Sequence, residues 1–155
     1  MKLGGKILIS LLLISLLTAC STESVSEEAP GYDQEVYQEI TITAGDSAVN
    51  GVLFDNETAR DLADCLPLTV PLWVPADFAK AFTLDQESPL YDSGIYTREY
   101  QVGGLAYWPN GTAVAIFHGD RDETAVPVII IGELEDDVSI FADYEGEITL
   151  TTREE

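Results

Sequence analysis

The sequence predicts a mostly antiparallel β domain, a barrel or a sandwich, with one or two short helices. Three observations carry that prediction. Segments of alternating polar and apolar residues recur at close spacing, each followed by a turn signal. A strand–turn–strand unit occupies Gly103 to Gly119, with Pro109-Asn110-Gly111 at its turn. A continuous apolar run, Val126-Pro127-Val128-Ile129-Ile130-Ile131, has the length and β-branching of a fully buried strand.

The elements follow in order. Glu39 to Ala44 alternates as a half-buried strand, Gly45-Asp46-Ser47 turns, and Ala48 to Phe54 returns as the second arm of a hairpin. Asp55 or Asn56 then caps a helix whose apolar stripe is Ala59, Leu62, Ala63 and Leu66, at i, i+3, i+4 and i+7. Pro67 stops it. Cys65 lies beside that stripe and is expected to be a small buried core residue. Leu68 to Trp73 reads as a third strand, and Pro71 puts it at an edge or a bulge. Residues 74–100 are less regular, with Phe78, Phe82 and Leu84 as core contacts. After the central unit comes the polar loop Gly119 to Glu123, then the apolar run. Asp136-Asp137 precedes a short helical turn through Val138, Ile140 and Phe141, and Gly146 to Thr151 alternates as the last strand.

Length and charge bound the function. The 155 residues suffice for one domain with a core. Twenty-eight acidic against seven basic residues give a formal charge of −21. Such a surface repels phosphate backbones and anionic headgroups, which argues against nucleic-acid binding. The acids are scattered, so solubility is the plainer reading of the charge.

The first twenty residues read as an address. Met1 to Lys6 is a basic start, Ile7 to Leu17 is apolar but for Ser10 and Ser15, and Leu17-Thr18-Ala19-Cys20 ends it. The segment resembles a lipoprotein signal with its lipobox. That resemblance implies residues 1–19 as a cleaved signal peptide and Cys20 as the lipidated first residue. The protein would then be anchored in the cell membrane or outer membrane, facing outside the cytoplasm. Two or more acyl chains anchor stably where one does not. Cleavage would remove Lys2 and Lys6 and leave five basic residues, a formal −23, so lipid rather than charge would hold the protein to the membrane. Residues 20–37 form the lipidated cysteine and a polar tether spanning about 20–25 Å as a coil. Tyr32, Val36 and Tyr37 are placed to dock on the domain, residues 38–155.

Candidate sites are few. Tyr107 and Trp108 precede the Asn110-Gly111 turn and offer an aromatic wall with an indole donor. The plainer reading puts one ring in the core and the other over the barrel mouth. His118, the single histidine, ends an apolar strand and would titrate near neutrality. It has no local partner for a metal site, so no metal and no cofactor are expected. Asp120, Asp122 and Glu123 lack the spacing of a calcium loop and read as a solvated loop with Arg121 bridging its neighbours. No Gly-x-Ser-x-Gly elbow and no phosphate loop occurs.

The stretch from Val102 to Gly111, then Ala113 to Gly119, resembles the bacterial cyclophilin-like domain family. The helix after the first hairpin and the Ile129-to-Glu133 strand support the resemblance, which covers about residues 38–152. It implies a closed β-barrel of about eight strands with short helices over its openings. Cyclophilins carry a catalytic arginine in a Phe-His-Arg strand. Here Phe117-His118 is followed by Gly119, and no Gln-x-Gly segment follows. The resemblance thus bears on fold more than on function, and with the isomerase signature missing the leading expectation is a non-catalytic module binding a peptide or small molecule at the barrel mouth, near Arg98, Tyr107, Trp108 and His118. The alternatives are a divergent peptidyl-prolyl isomerase using Arg98 as donor to the proline amide, and a structural partner in an envelope complex.

Overall fold

A computed structural model describes residues 32–154. The expected signal segment, Cys20 and the tether up to Gly31 lie outside the described residues.

Nine strands and two helices follow one another: β1 (Val36–Ala44), β2 (Ser47–Phe54), α1 (Glu57–Asp64), β3 (Leu68–Pro71), β4 (Trp73–Ala76), β5 (Ala79–Thr83), β6 (Gly104–Trp108), β7 (Ala113–Phe117), β8 (Ile129–Leu134), α2 (Ile140–Asp143) and β9 (Glu147–Thr152). All nine belong to one sheet, in the order β3-β9-β1-β2-β8-β6-β7-β5-β4, and every pairing is antiparallel. The two outermost strands, β3 and β4, are separated in the chain by Leu72 alone. The sheet therefore curls into a nearly closed barrel whose edges meet at that residue. Full closure removes sheet edges, and here the chain itself bridges the seam.

The strand period of two sorts the side chains. Ile40, Ile42, Leu53, Phe82, Leu105, Tyr107, Val114, Ile116, Ile129, Ile131, Ile148 and Leu150 fill one interior cluster. Ala59 and Leu62 of α1 and Phe141 of α2 join the same cluster, so each helix turns its apolar stripe to the core. Asn56 caps α1, its side chain accepting from the Ala59 amide at 2.9 Å. Asp137 accepts from the Ser139 amide ahead of α2 at 2.9 Å, and that bond lowers its pKa.

Four features differ from the sequence reading. Cys65 is exposed rather than buried. It sits at the C-cap of α1, where the chain is leaving the core face. The expected third strand is two, β3 and β4, because the barrel seam falls at Leu72. The buried run is β8 at Ile129–Leu134, displaced toward the C-terminus, and Val126 and Pro127 are exposed loop. Finally, residues 79–83 form a strand, β5, inside the stretch read as irregular.

The central turn is longer than a two-residue hairpin. Pro109–Gly111 makes a 3-10 turn, and Thr112 rather than a glycine takes the left-handed conformation, at φ 48°. Tyr32 docks, as its position suggested. Its hydroxyl accepts from the Gln101 amide at 2.6 Å, and its ring meets Phe54 edge-on at 5.7 Å.

Candidate functional site

The outer wall of the barrel carries a groove of about 270 Å³ across β4, β5, β7 and β6. Its origin lies in the register. Trp73 pairs with Ala81, Ala81 with Ala115, and Ala115 with Ala106, so one row of the outer face holds three alanines in succession. The neighbouring row places Ala113 opposite Trp108, and the row on the other side places Ala79 opposite Phe117. An alanine ends at Cβ, so the floor lies low between tall rings, with Ala81 and Ala113 buried and Ala115 half-buried, while Ala106 continues the row outside the groove lining. Trp73 stands at one edge and Trp108 at another, with Phe78 and Phe117 closing an end.

The last wall is the loop carrying Thr124, Ala125, Val126 and Val128. It is tied to the segment before β6. Thr97 and Val128 exchange amide–carbonyl bonds at 2.9 Å in both directions, and the Thr124 amide donates to the Arg98 carbonyl at 2.8 Å. A ring stack backs the closed end, with Tyr100 on Phe117 at 4.1 Å and Phe78 near Tyr100 at 5.5 Å. The Tyr100 hydroxyl donates to the Gly119 carbonyl at 2.9 Å and holds the stack in place.

Trp108 owes its position to the turn that follows. A Cβ on Gly111 would fall 2.1 Å from the indole ring carbons. Glycine at 111 thus serves close approach, the ring lying against the turn backbone.

Two polar groups at the margin are already engaged. The Trp73 indole donates to the Thr83 hydroxyl at 3.1 Å. The Thr124 hydroxyl donates to the Val126 carbonyl. The groove thus offers apolar area and ring faces, with no nucleophile–base pair in its lining. Among the described residues no group of three or more His, Cys, Asp or Glu side chains is placed to hold a metal ion.

The structure does not bring the four expected site residues together. Trp108 lines the groove. Tyr107, one residue earlier, points to the other face, is 0% exposed and lies in the interior cluster, where burial pushes its phenol pKa up. Arg98 is half exposed, and its guanidinium donates to the Ala125 carbonyl at 2.6 Å, bracing the loop wall from behind. His118 follows β7, its amide donating to the Phe78 carbonyl at 3.0 Å, and its side chain is absent from the lining. Burial lowers the His118 pKa, the nearby Lys80 lowers it further, and Asp143 and Asp77 act weakly the other way. The groove therefore lies on the barrel wall, and of the four residues only Trp108 lines it.

Lys80 is the other departure. It pairs with Ile116, so it points inward between the outward Ala79 and Ala81, and it is 5% exposed. Its stem is buried while its ammonium is not enclosed, since no enclosed side-chain nitrogen among the described residues lacks a hydrogen-bond partner. Sequence reasoning missed the alanine floor and Trp73. The available signal was the repeated Ala-x-Ala spacing at Ala79/Ala81 and Ala113/Ala115.

Comparison with known proteins agrees with this architecture. No curated protein matches the chain. The solution structure of the hypothetical protein AF2241 from Archaeoglobus fulgidus is similar in fold, with a TM-score of 0.62 at 20% identity, covering 79% of this chain and all of that one. A family model described as the cyclophilin-like family matches residues 42–153. The barrel, its central hairpin and that match together place the chain in the cyclophilin-like family.

Proposed function

We propose that this domain is a binding module that holds an extended apolar peptide segment, or an apolar small molecule, against the alanine-floored groove. The observation that carries the reading is the row Trp73–Ala81–Ala115 with Trp108 beside it. Rigid rings around a bare strand surface give large contact area at little entropic cost. A catalytic reading needs a donor aimed at a bound proline amide. Arg98, the donor named for the isomerase reading, is spent on Ala125, which favours binding without catalysis.

The same proposal keeps the domain outside the cytoplasm on lipid at Cys20, supported by Leu17-Thr18-Ala19-Cys20. Among the described residues no helix is long and apolar enough to cross a membrane. Cys20→Ala is expected to release the protein from membranes or stall its processing. Continued processing and membrane attachment would refute the anchor.

The groove is tested with a chromogenic proline tetrapeptide and the full chain, reading tryptophan fluorescence and isomerisation together. Binding that Ala115→Leu abolishes, with isomerisation at background, supports the module. Turnover lost in Arg98→Ala would replace it with the isomerase.

A further inference from the structure

We infer that the groove selects cationic segments: an extended peptide whose apolar or proline residue sits on the alanine floor and whose flanking lysines or arginines meet the carboxylates at the closed end. The inference rests on the groove reading above and adds the chemistry of the partner.

The lining itself carries no charge. Its ionic character comes from the residues next to it. Asp77 lies between the lining residues Ala76 and Phe78, and its side chain is 71% exposed. Asp120, Asp122 and Glu123 lie on the loop that leads into Thr124, and all three are exposed. Against these four carboxylates stand two guanidiniums, and both are already committed. Arg121 donates to Asp77 at 2.6 Å and covers the Phe78 ring at 5.6 Å. Arg98 holds the Ala125 carbonyl and faces Glu123 at 3.9 Å. These pairs occupy Asp77 and Glu123 as well, which leaves Asp120 and Asp122, both exposed and without an ion pair among the described residues, to meet a cationic ligand.

The whole chain adds to this local balance. A formal charge of −21 places the groove in a negative field. Such a field raises the encounter rate with cations and suppresses encounters with acidic or phosphorylated segments. Each exposed pair contributes little affinity, about 0.2–1 kcal/mol. The discrimination comes from several pairs acting together and from long-range steering, and both weaken as salt shortens the Debye length. Apolar burial supplies the salt-insensitive part of binding.

The test uses the full chain and three synthetic peptides with one central alanine-proline-leucine core, flanked by lysines, by glutamines or by glutamates. Binding is read from the fluorescence of the two tryptophans, Trp73 and Trp108. At low salt the lysine peptide should bind about tenfold or more tighter than the glutamate peptide. The gap should shrink to within about threefold in 1 M salt. Asp120→Asn with Asp122→Asn should narrow it while leaving the glutamine peptide unchanged. Ala115→Leu should abolish all three. Equal affinities, or a tighter glutamate peptide, would overturn the inference and leave the groove reading standing. Binding that Ala115→Leu does not touch, or no binding at all, would remove both.

Discussion

Tyr107 and Trp108 are adjacent in the chain and stand on opposite faces of β6, the phenol enclosed in the barrel and the indole against the outer groove. The period of two makes this unavoidable for neighbours in a strand. One aromatic pair is thereby divided between the core and the groove.

The two rings should separate cleanly under mutation. Tyr107→Ala removes a fully buried ring and is expected to cost about 3–5 kcal/mol in urea unfolding. Trp108→Ala should cost less than about 2 kcal/mol and weaken peptide binding about tenfold or more. Similar losses of stability in both would contradict the division.

Gly111→Ala should disturb the groove without touching its floor. The new Cβ conflicts with the indole, which must move. A loss of about 1–3 kcal/mol is expected, with a shift in tryptophan fluorescence. Unchanged emission would mean that the ring does not rest on the turn.

Lys80 lies inward and is 5% exposed as a residue, yet its ammonium is not enclosed, so the stem is buried while the charge reaches water. Lys80→Met keeps the buried stem and is expected to change stability by less than about 1 kcal/mol. A clear loss in urea unfolding would reveal a partner.

His118 reports on the same lysine. Its folded pKa lies below the ordinary 6.5, first through burial and then through Lys80. The unfolded chain therefore binds that proton more readily. The stability gained from the neutral ring is present above about pH 6.5 and is lost as the pH falls through the folded value beneath it. An NMR titration of the ring should show a midpoint below 6.5, moving upward in Lys80→Met. A midpoint at or above 6.5 in the native chain would contradict the burial.

Cys65 should react with a thiol reagent in the folded protein, because it is exposed. The reaction should be slow near neutrality. Partial burial, then Asp61 and Asp64, raise the thiol pKa and keep the thiolate scarce. Absence of labelling before unfolding, judged against Cys65→Ser, would return the residue to the core.

Much of the barrel was legible in the chain because its inner face is apolar at every second position. The first hairpin, the α1 cap, the central strands and the last strand all follow that local pattern, which needs no knowledge of neighbours. Strand β5 was hidden because its alternation is inverted, with Lys80 inward and Ala79 and Ala81 outward. Composition alone cannot say that an alanine on a strand is a floor. That depends on which residues the register sets opposite it, and Ala81 meets Trp73, Ala115 and the rest of its row only once the sheet has closed. Local pattern alone carries the strand-rich class, most core-facing positions and the motif at Cys20, but not the exposure of Cys65 or the inward turn of Lys80. Only the tertiary structure decided where the groove lies, because a binding surface on a sheet is made by cross-strand neighbours far apart in the chain.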